Sequence, residues 1–121
     1  MKILLVDDNL LNIELFQDVL EGDGHEVTVA RDGAAGLAGA LADRFDLLIL
    51  DIQLPGLDGY GICRTLRDRG VDGPILALSS SAMPAHIERG VAAGFDEYLT
   101  KPISPAALKE AVRKHARGRG D

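Results

Sequence analysis

This chain lacks a second cysteine, so Cys63 cannot close an internal disulfide. It also lacks a secretory leader and an uninterrupted apolar span, which makes a reducing cytoplasm the expected compartment and membrane contact unexpected. Cations are in deficit as well. With 13 Lys and Arg against 19 Asp and Glu, the net charge of -6 repels nucleic-acid phosphates and anionic lipid, so no nucleic-acid partner is expected. The one basic cluster, Arg113, Lys114, Arg117 and Arg119, falls at the end of the last helical segment, where cations complement the helix dipole. His25, His86 and His115 show no metal-ligand spacing with one another or with Cys63, which argues against zinc. Repeats, linkers and low-complexity tracts are absent too.

What is present is an ordinary globular composition, 46% hydrophobic and 26% charged, over 121 residues. That is enough for one core, and a single domain over 1–121 is expected, with 119–121 a frayed tail. Short apolar runs alternate with helical patterns, the βαβ signature of a parallel sheet covered on both faces. Strands are predicted over 3–6, 27–30, 47–50, 75–78 and 98–100. Asn9 and Asp32 are placed to cap the first two helices, Pro84 to open the fourth, and Ser104-Pro105 to start the fifth. The first helix carries an apolar stripe of Ile13, Phe16, Val19 and Leu20, and the last buries Leu108 and Val112. Gly36 and Gly39 weaken the second helix by about 1 kcal/mol each relative to alanine, unless close packing on the sheet uses their missing side chain.

The informative residues stand where the strands run out. Asp7 and Asp8 follow Ile3-Leu4-Leu5-Val6, Asp51 follows Leu47-Leu48-Ile49-Leu50, Ser79 follows Ile75-Leu76-Ala77-Leu78, and Lys101 follows Tyr98-Leu99-Thr100. Ligands of open α/β sheets bind off the carboxyl ends of parallel strands, so these groups can converge. Taken singly, an acid pair often only ends a strand, Lys101 is more often a solvated cation, and Ser79 more often a turn hydroxyl. Together they repay closer attention. Clustered carboxylates repel and are neutralised by a cation or by protonation, and oxygen-only ligands favour a hard ion such as Mg2+. A carboxylate that accepts a phosphoryl group needs its charge stabilised, which a divalent ion, an ammonium and a hydroxyl supply.

Val6-Asp7-Asp8-Asn9, Asp51 with Leu54-Pro55-Gly56-Leu57-Asp58-Gly59 behind it, Ser79 after an apolar strand, and Lys101-Pro102 form a joint pattern. Across its whole length the chain resembles the receiver domains of two-component response regulators. Asp8-Asn9, Leu11-Asn12 and Lys101-Pro102-Ile103-Ser104 are most similar to single-domain cell-cycle regulators and to receivers of hybrid histidine kinases. The resemblance implies a flavodoxin-like, doubly wound α/β sheet of five parallel strands in the order 2-1-3-4-5, with five helices. It makes Asp51 the phosphoacceptor, Asp8 and Asp51 direct Mg2+ ligands, Asp7 a supporting acid and the Gln53 backbone carbonyl the remaining protein ligand. Lys101 would pair with Asp51 or its phosphate through a cis Lys101-Pro102 peptide, Ser79 would hydrogen-bond the phosphoryl oxygen, and Tyr98 would be an aromatic switch alongside Ser79. Gln53 and Ser81 occupy positions that tune dephosphorylation in the family.

The partner implied is a histidine kinase or histidine phosphotransferase docking on Leu10, Leu11 and Asn12. A downstream protein target would meet the face of Met83, His86, Arg89, Tyr98 and Ile103. A monomer or weak dimer is expected. Output by protein contact, from a stand-alone switch that modifies only itself, is the expectation, and the Met1-Lys2 start mildly favours it over an excerpt of a longer kinase. A metal-dependent phosphohydrolase that also forms an aspartyl phosphate is the alternative, although such enzymes carry Asp-x-Asp on the first strand and here the order is Asp-Asp-Asn.

Overall fold

A computed structural model describes residues 1–54 and 56–119. Strands β1 (Lys2–Val6), β2 (Glu26–Ala30), β3 (Leu47–Asp51), β4 (Ile75–Ser79) and β5 (Glu97–Thr100) alternate with helices α1 (Leu10–Gly22), α2 (Gly33–Ala42), α3 (Gly59–Asp68), α4 (Pro84–Ala93) and α5 (Pro105–Arg119). The five strands are parallel and ordered β2-β1-β3-β4-β5, as expected from the sequence. Apart from Arg119 in the last turn of α5, the tail expected to fray lies outside the described residues, as does Pro55.

Alternation along the central strands divides the core into two layers, because successive strand side chains point to opposite faces. Leu4, Val6, Leu48, Leu50, Ile75 and Ala77 meet α2, α3 and α4 through Ala40, Ile62, Cys63, Leu66 and Ala93. Ile3, Leu5, Leu47, Ile49, Leu76 and Leu78 meet α1 and α5 through Phe16, Leu20, Leu108, Ala111 and Val112. Every residue of β3 and β4 is buried, which explains their unbroken apolar runs. Cys63 sits wholly inside the first layer, and burial pushes its thiol up to about 11, so it is a packing residue rather than a nucleophile.

Side-chain caps start four helices. Asn9 accepts from the N–H of Asn12, Asp32 from Ala35, Asp58 from Gly61 and Ser104 from Ala107. Pro84 opens α4 without a side-chain cap, and Gly94 closes it in the left-handed conformation. The two glycines of α2 differ. A Cβ on Gly36 would lie 2.7 Å from Val6 Cγ1, so this glycine lets the helix press on β1, whereas one on Gly39 would only reach Leu4 at 4.0 Å.

The basic end of α5 is tied to acids. Arg113 pairs with Asp23 at 2.9 Å and Lys114 with Glu97 at 3.5 Å, beyond the dipole role expected from their position. The side chains of Arg117 and Arg119 lie outside the described residues.

Candidate phosphoryl and metal site

Parallel pairing brings the ends of β1, β3, β4 and β5 to one edge of the sheet, and the polar residue closing each run arrives there. Asp7, Asp51 and Ser79 are the buried polar residues of the chain's described part, at 0%, 2% and 1% exposure. Asp8 beside them is exposed. Carboxylate oxygens of Asp7, Asp8 and Asp51 all lie within 4.8 Å of one another.

The local bonds explain how three acids are held so close. Asp7 Oδ1 accepts the Asn9 N–H at 2.9 Å, and Asp51 Oδ1 accepts the Gln53 N–H at 2.9 Å. Each strand-ending carboxylate is thus fixed by the turn that follows it. The Lys101 ammonium donates to Asp51 Oδ2 at 2.7 Å and stands 3.8 Å from Asp7 Oδ2. Lys101-Pro102 is a cis peptide, in accord with the resemblance.

Asp7 Oδ2 is buried and has no hydrogen-bond partner among the described residues. Burial raises the Asp7 pKa above the usual carboxylate range, the neighbouring Asp51 charge adds to it, and the Asn9 N–H and Lys101 only partly oppose it. A buried acceptor without a donor, facing two other carboxylates, fits a hard divalent cation. The donor set can therefore hold such an ion, with Asp7, Asp8 and Asp51 supplying the oxygens.

On the β4 side, Ser79 Oγ accepts the Ser81 N–H at 3.1 Å. Gln53 Oε1 accepts from the Ser80 hydroxyl at 3.0 Å and the Ser80 N–H at 3.3 Å, bridging the turns after β3 and β4. The half-buried Tyr98 donates its hydroxyl to the Ser81 carbonyl at 3.0 Å. Sequence reasoning did not anticipate Ser80, although three consecutive serines after a buried strand were the available signal.

The proposed docking residues divide into two groups. Leu10 and Leu11 are 52% and 76% exposed, so neither packs inward, and Asn12 is half-buried beside them. Met83, His86 and Arg89 are exposed around the start of α4, with Ile103 partly buried against the second core layer. Arg89 lies over the Tyr60 ring at 4.3 Å.

Residues 3–113 match the response regulator receiver domain. The chain belongs to this family, the phosphoacceptor signalling switches of two-component systems. Among its relatives, the transcriptional regulatory protein CseB of Streptomyces coelicolor is 41% identical over 111 residues, 92% of this chain and 47% of that protein. The sensor histidine kinase AruS of Pseudomonas aeruginosa is 40% identical over 93% of this chain and 12% of its own length. The chain thus spans about half of one curated relative and a small part of the other. The receiver domain of a sensor histidine kinase from Pseudomonas aeruginosa PAO1, solved with a magnesium ion coordinated in its active-site cleft, superposes with a TM-score of 0.85 at 35% identity, covering 94% of this chain and 95% of that one. No helix among the described residues is long and apolar enough to cross a membrane.

Proposed function

We propose that Asp51 accepts a phosphoryl group from a histidine kinase or histidine phosphotransferase, with Mg2+ as cofactor, and that residues 1–121 act as one receiver unit in the cytoplasm. The single observation that supports this reading best is a nearly water-free Asp51 carboxylate with an ammonium at 2.7 Å and two further acids within 4.8 Å. A carboxylate oxygen of Asp51 attacks phosphorus in line with the departing donor atom. The donor's bond to phosphorus breaks as the acyl phosphate forms, and the donor keeps that bond's electron pair. Bound Mg2+ would supply positive charge against the phosphoryl oxygens, held by Asp7, Asp8, Asp51 and the Gln53 backbone carbonyl. Lys101, already on Asp51 Oδ2, follows the charge onto the phosphoryl oxygens. Ser79 donates its hydroxyl to another of them. Its lone pair already holds the Ser81 N–H, which leaves the proton for that bond.

Donor recognition is assigned to the Leu10, Leu11 and Asn12 end of α1, beside the acid pair, and output to the face of Met83, His86, Arg89, Tyr98 and Ile103. Ser79 and Tyr98 form the switch, since both bond to Ser81. No nucleic-acid contact is assigned to these residues, and the chain acts as a monomer or weak dimer that catalyses only its own modification. The phosphohydrolase alternative gains no support from the site.

Incubation with Mg2+ and acetyl phosphate should label wild type, and Asp51→Asn should take no label. Undiminished labelling of that variant sinks the assignment. Leu11→Glu should slow transfer from the cognate histidine donor while acetyl phosphate labelling holds. Equal loss with both donors would show damage to the site or fold, and undiminished transfer from the cognate donor would remove Leu11 from the docking face.

A further inference from the structure

Ser81 is bonded in three directions at once. Its N–H is on the Ser79 hydroxyl at 3.1 Å, its carbonyl receives the Tyr98 hydroxyl at 3.0 Å, and its own hydroxyl lies 2.5 Å from His86 Nδ1. The last bond reaches from the loop after β4 into the first turn of α4. His86 is itself anchored on the helix, since its N–H donates to the Met83 carbonyl at 2.9 Å and its carbonyl accepts the Tyr60 hydroxyl at 3.1 Å. The Met83 N–H also donates to Ser81 Oγ at 3.3 Å, which closes a small ring of bonds around the serine.

An exposed imidazole and a loop hydroxyl at this distance restrict a segment that has no regular structure between Ser79 and Pro84. The restriction matters because the Ser81 N–H is what fixes the orientation of Ser79. A hydroxyl is both donor and acceptor, and occupying its lone pair from one side aims its proton toward the other. In a reaction driven by positioned donors, fixing that hydroxyl before the phosphoryl group arrives lowers the barrier without touching the donor molecule.

We propose that His86 is a positioning residue for phosphoryl transfer: through the Ser81 hydroxyl it holds the loop after β4 so that the Ser79 hydroxyl faces the Asp51 site. This rests on Asp51 being the acceptor. His86 touches neither phosphodonor nor metal ligands, so its effect appears in the maximal rate and not in donor binding.

The test is the rate of acetyl phosphate labelling as a function of donor concentration, in Mg2+, for wild type, His86→Ala, Ser81→Ala, the double variant and His86→Asn. The expected result is a maximal rate about three- to tenfold lower in each single alanine variant, the size of one lost hydrogen bond, with the half-saturating donor concentration unchanged. The double variant should be no slower than the slower single one, since both break the same bond. His86→Asn, whose side-chain amide can accept from or donate to the Ser81 hydroxyl, should recover to within about twofold of wild type. Labelling of His86→Ala at the wild-type maximal rate overturns the proposal. So does a loss that His86→Asn fails to recover, or two single losses that multiply in the double variant. A wild type that takes no label, or an Asp51→Asn variant that still takes it, overturns the acceptor assignment and this role with it, whereas a labelled wild type with an unimpaired His86→Ala overturns this role alone.

Discussion

At the carboxyl ends of the strands, Asp7 and Asp51 are stripped of water beside a third acid and share one ammonium. At the amino ends, Asp46, Asp43 and Asp96 each meet a donor. Asp46 accepts the Lys2 N–H at 2.7 Å, Asp43 pairs with Lys2 Nζ, and Asp96 accepts both Arg67 Nη2 and the Ile75 N–H at 2.8 Å. An open cleft of about 390 Å3 bordered by Arg44, Phe45, Arg69 and Asp72 lies at this second end, lined by both signs of charge. A cleft of the same volume is lined by Tyr98, Thr100, Pro102, Ile103 and Ser104, so cavity size does not single out the chemistry; buried charge of one sign does. Where acids are paired they hold the fold, and where they are crowded they weaken it until something neutralises them.

The largest break in that comparison is expected at Arg67. Its guanidinium donates to the carbonyls of Gly94, Val71 and Gly73 and to Asp96, joining α3, the α3–β4 loop and the turn before β5. Arg67→Ala leaves these part-buried carbonyls without donors, and a loss of about 3 kcal/mol is expected, a fall in Tm of about 10 °C. The phosphoryl site is at the other end of the sheet. Labelling of Asp51 at temperatures where the variant is folded should match wild type, and a Tm within about 2 °C of wild type would remove Arg67 as the amino-end staple.

At the carboxyl end the sign reverses. Any single charge removed from Asp8 or Asp51 relieves repulsion, but Asp51 already has Lys101 at 2.7 Å and Asp8 has water. Asp7 Oδ2 is buried with no hydrogen-bond partner among the described residues and only the more distant Lys101 ammonium at 3.8 Å, so Asp7→Asn should stabilise the metal-free protein most, by about 2 kcal/mol. Because its folded-state pKa is raised above the ordinary 3.8, the cost of the Asp7 charge is full above the raised value and vanishes below the ordinary one. The advantage of Asp7→Asn should thus be complete at neutral pH and shrink on acidification. Added Mg2+ should stabilise wild type more than the variant and narrow the gap from the other side. Thermal melts across pH, with and without Mg2+, measure both trends, and a variant less stable than wild type at neutral pH without metal would contradict the crowding argument.

These sites differ in how far the sequence disclosed them. Asp7, Asp51, Ser79 and Lys101 were legible because each closes an apolar run, and parallel strands deliver their ends to one edge. The caps at Asn9, Asp32 and Ser104 followed from local rules, and the strand order from the family resemblance. The resemblance separated Asp8 from Asp7 by role, but their burial was not legible: the turn after β1 buries Asp7 and exposes Asp8. The Ser81–His86 and Gln53–Ser80 bonds were not legible, since each has at least one end on an irregular loop whose path no periodicity encodes. Arg67 was silent for another reason: its partners are mostly carbonyls, which every residue carries.

The smallest expected effect tests the comparison along one element. Helix α2 runs from the acid end, where Gly33 approaches Leu57, to the amino end, where Asp43 meets Lys2. Its two inner glycines carry the same propensity penalty and face different surroundings. At Gly36 a methyl group would enter Val6, the strand residue directly before Asp7, with Cγ atoms at 2.7 and 2.8 Å. At Gly39 the nearest atom is Leu4 Cδ2 at 4.0 Å, ordinary contact. Gly39→Ala should therefore stabilise by about 0.5–1 kcal/mol through helix propensity alone. Gly36→Ala gains the same propensity and loses more by overpacking, a net cost of about 1 kcal/mol, because Val6 sits in a strand paired on both sides and cannot withdraw. Chemical denaturation of the two variants reads the difference directly. Equal shifts of the same sign would mean that α2 rides free of β1, and that the close approach near the acid cluster is not needed to fix Asp7.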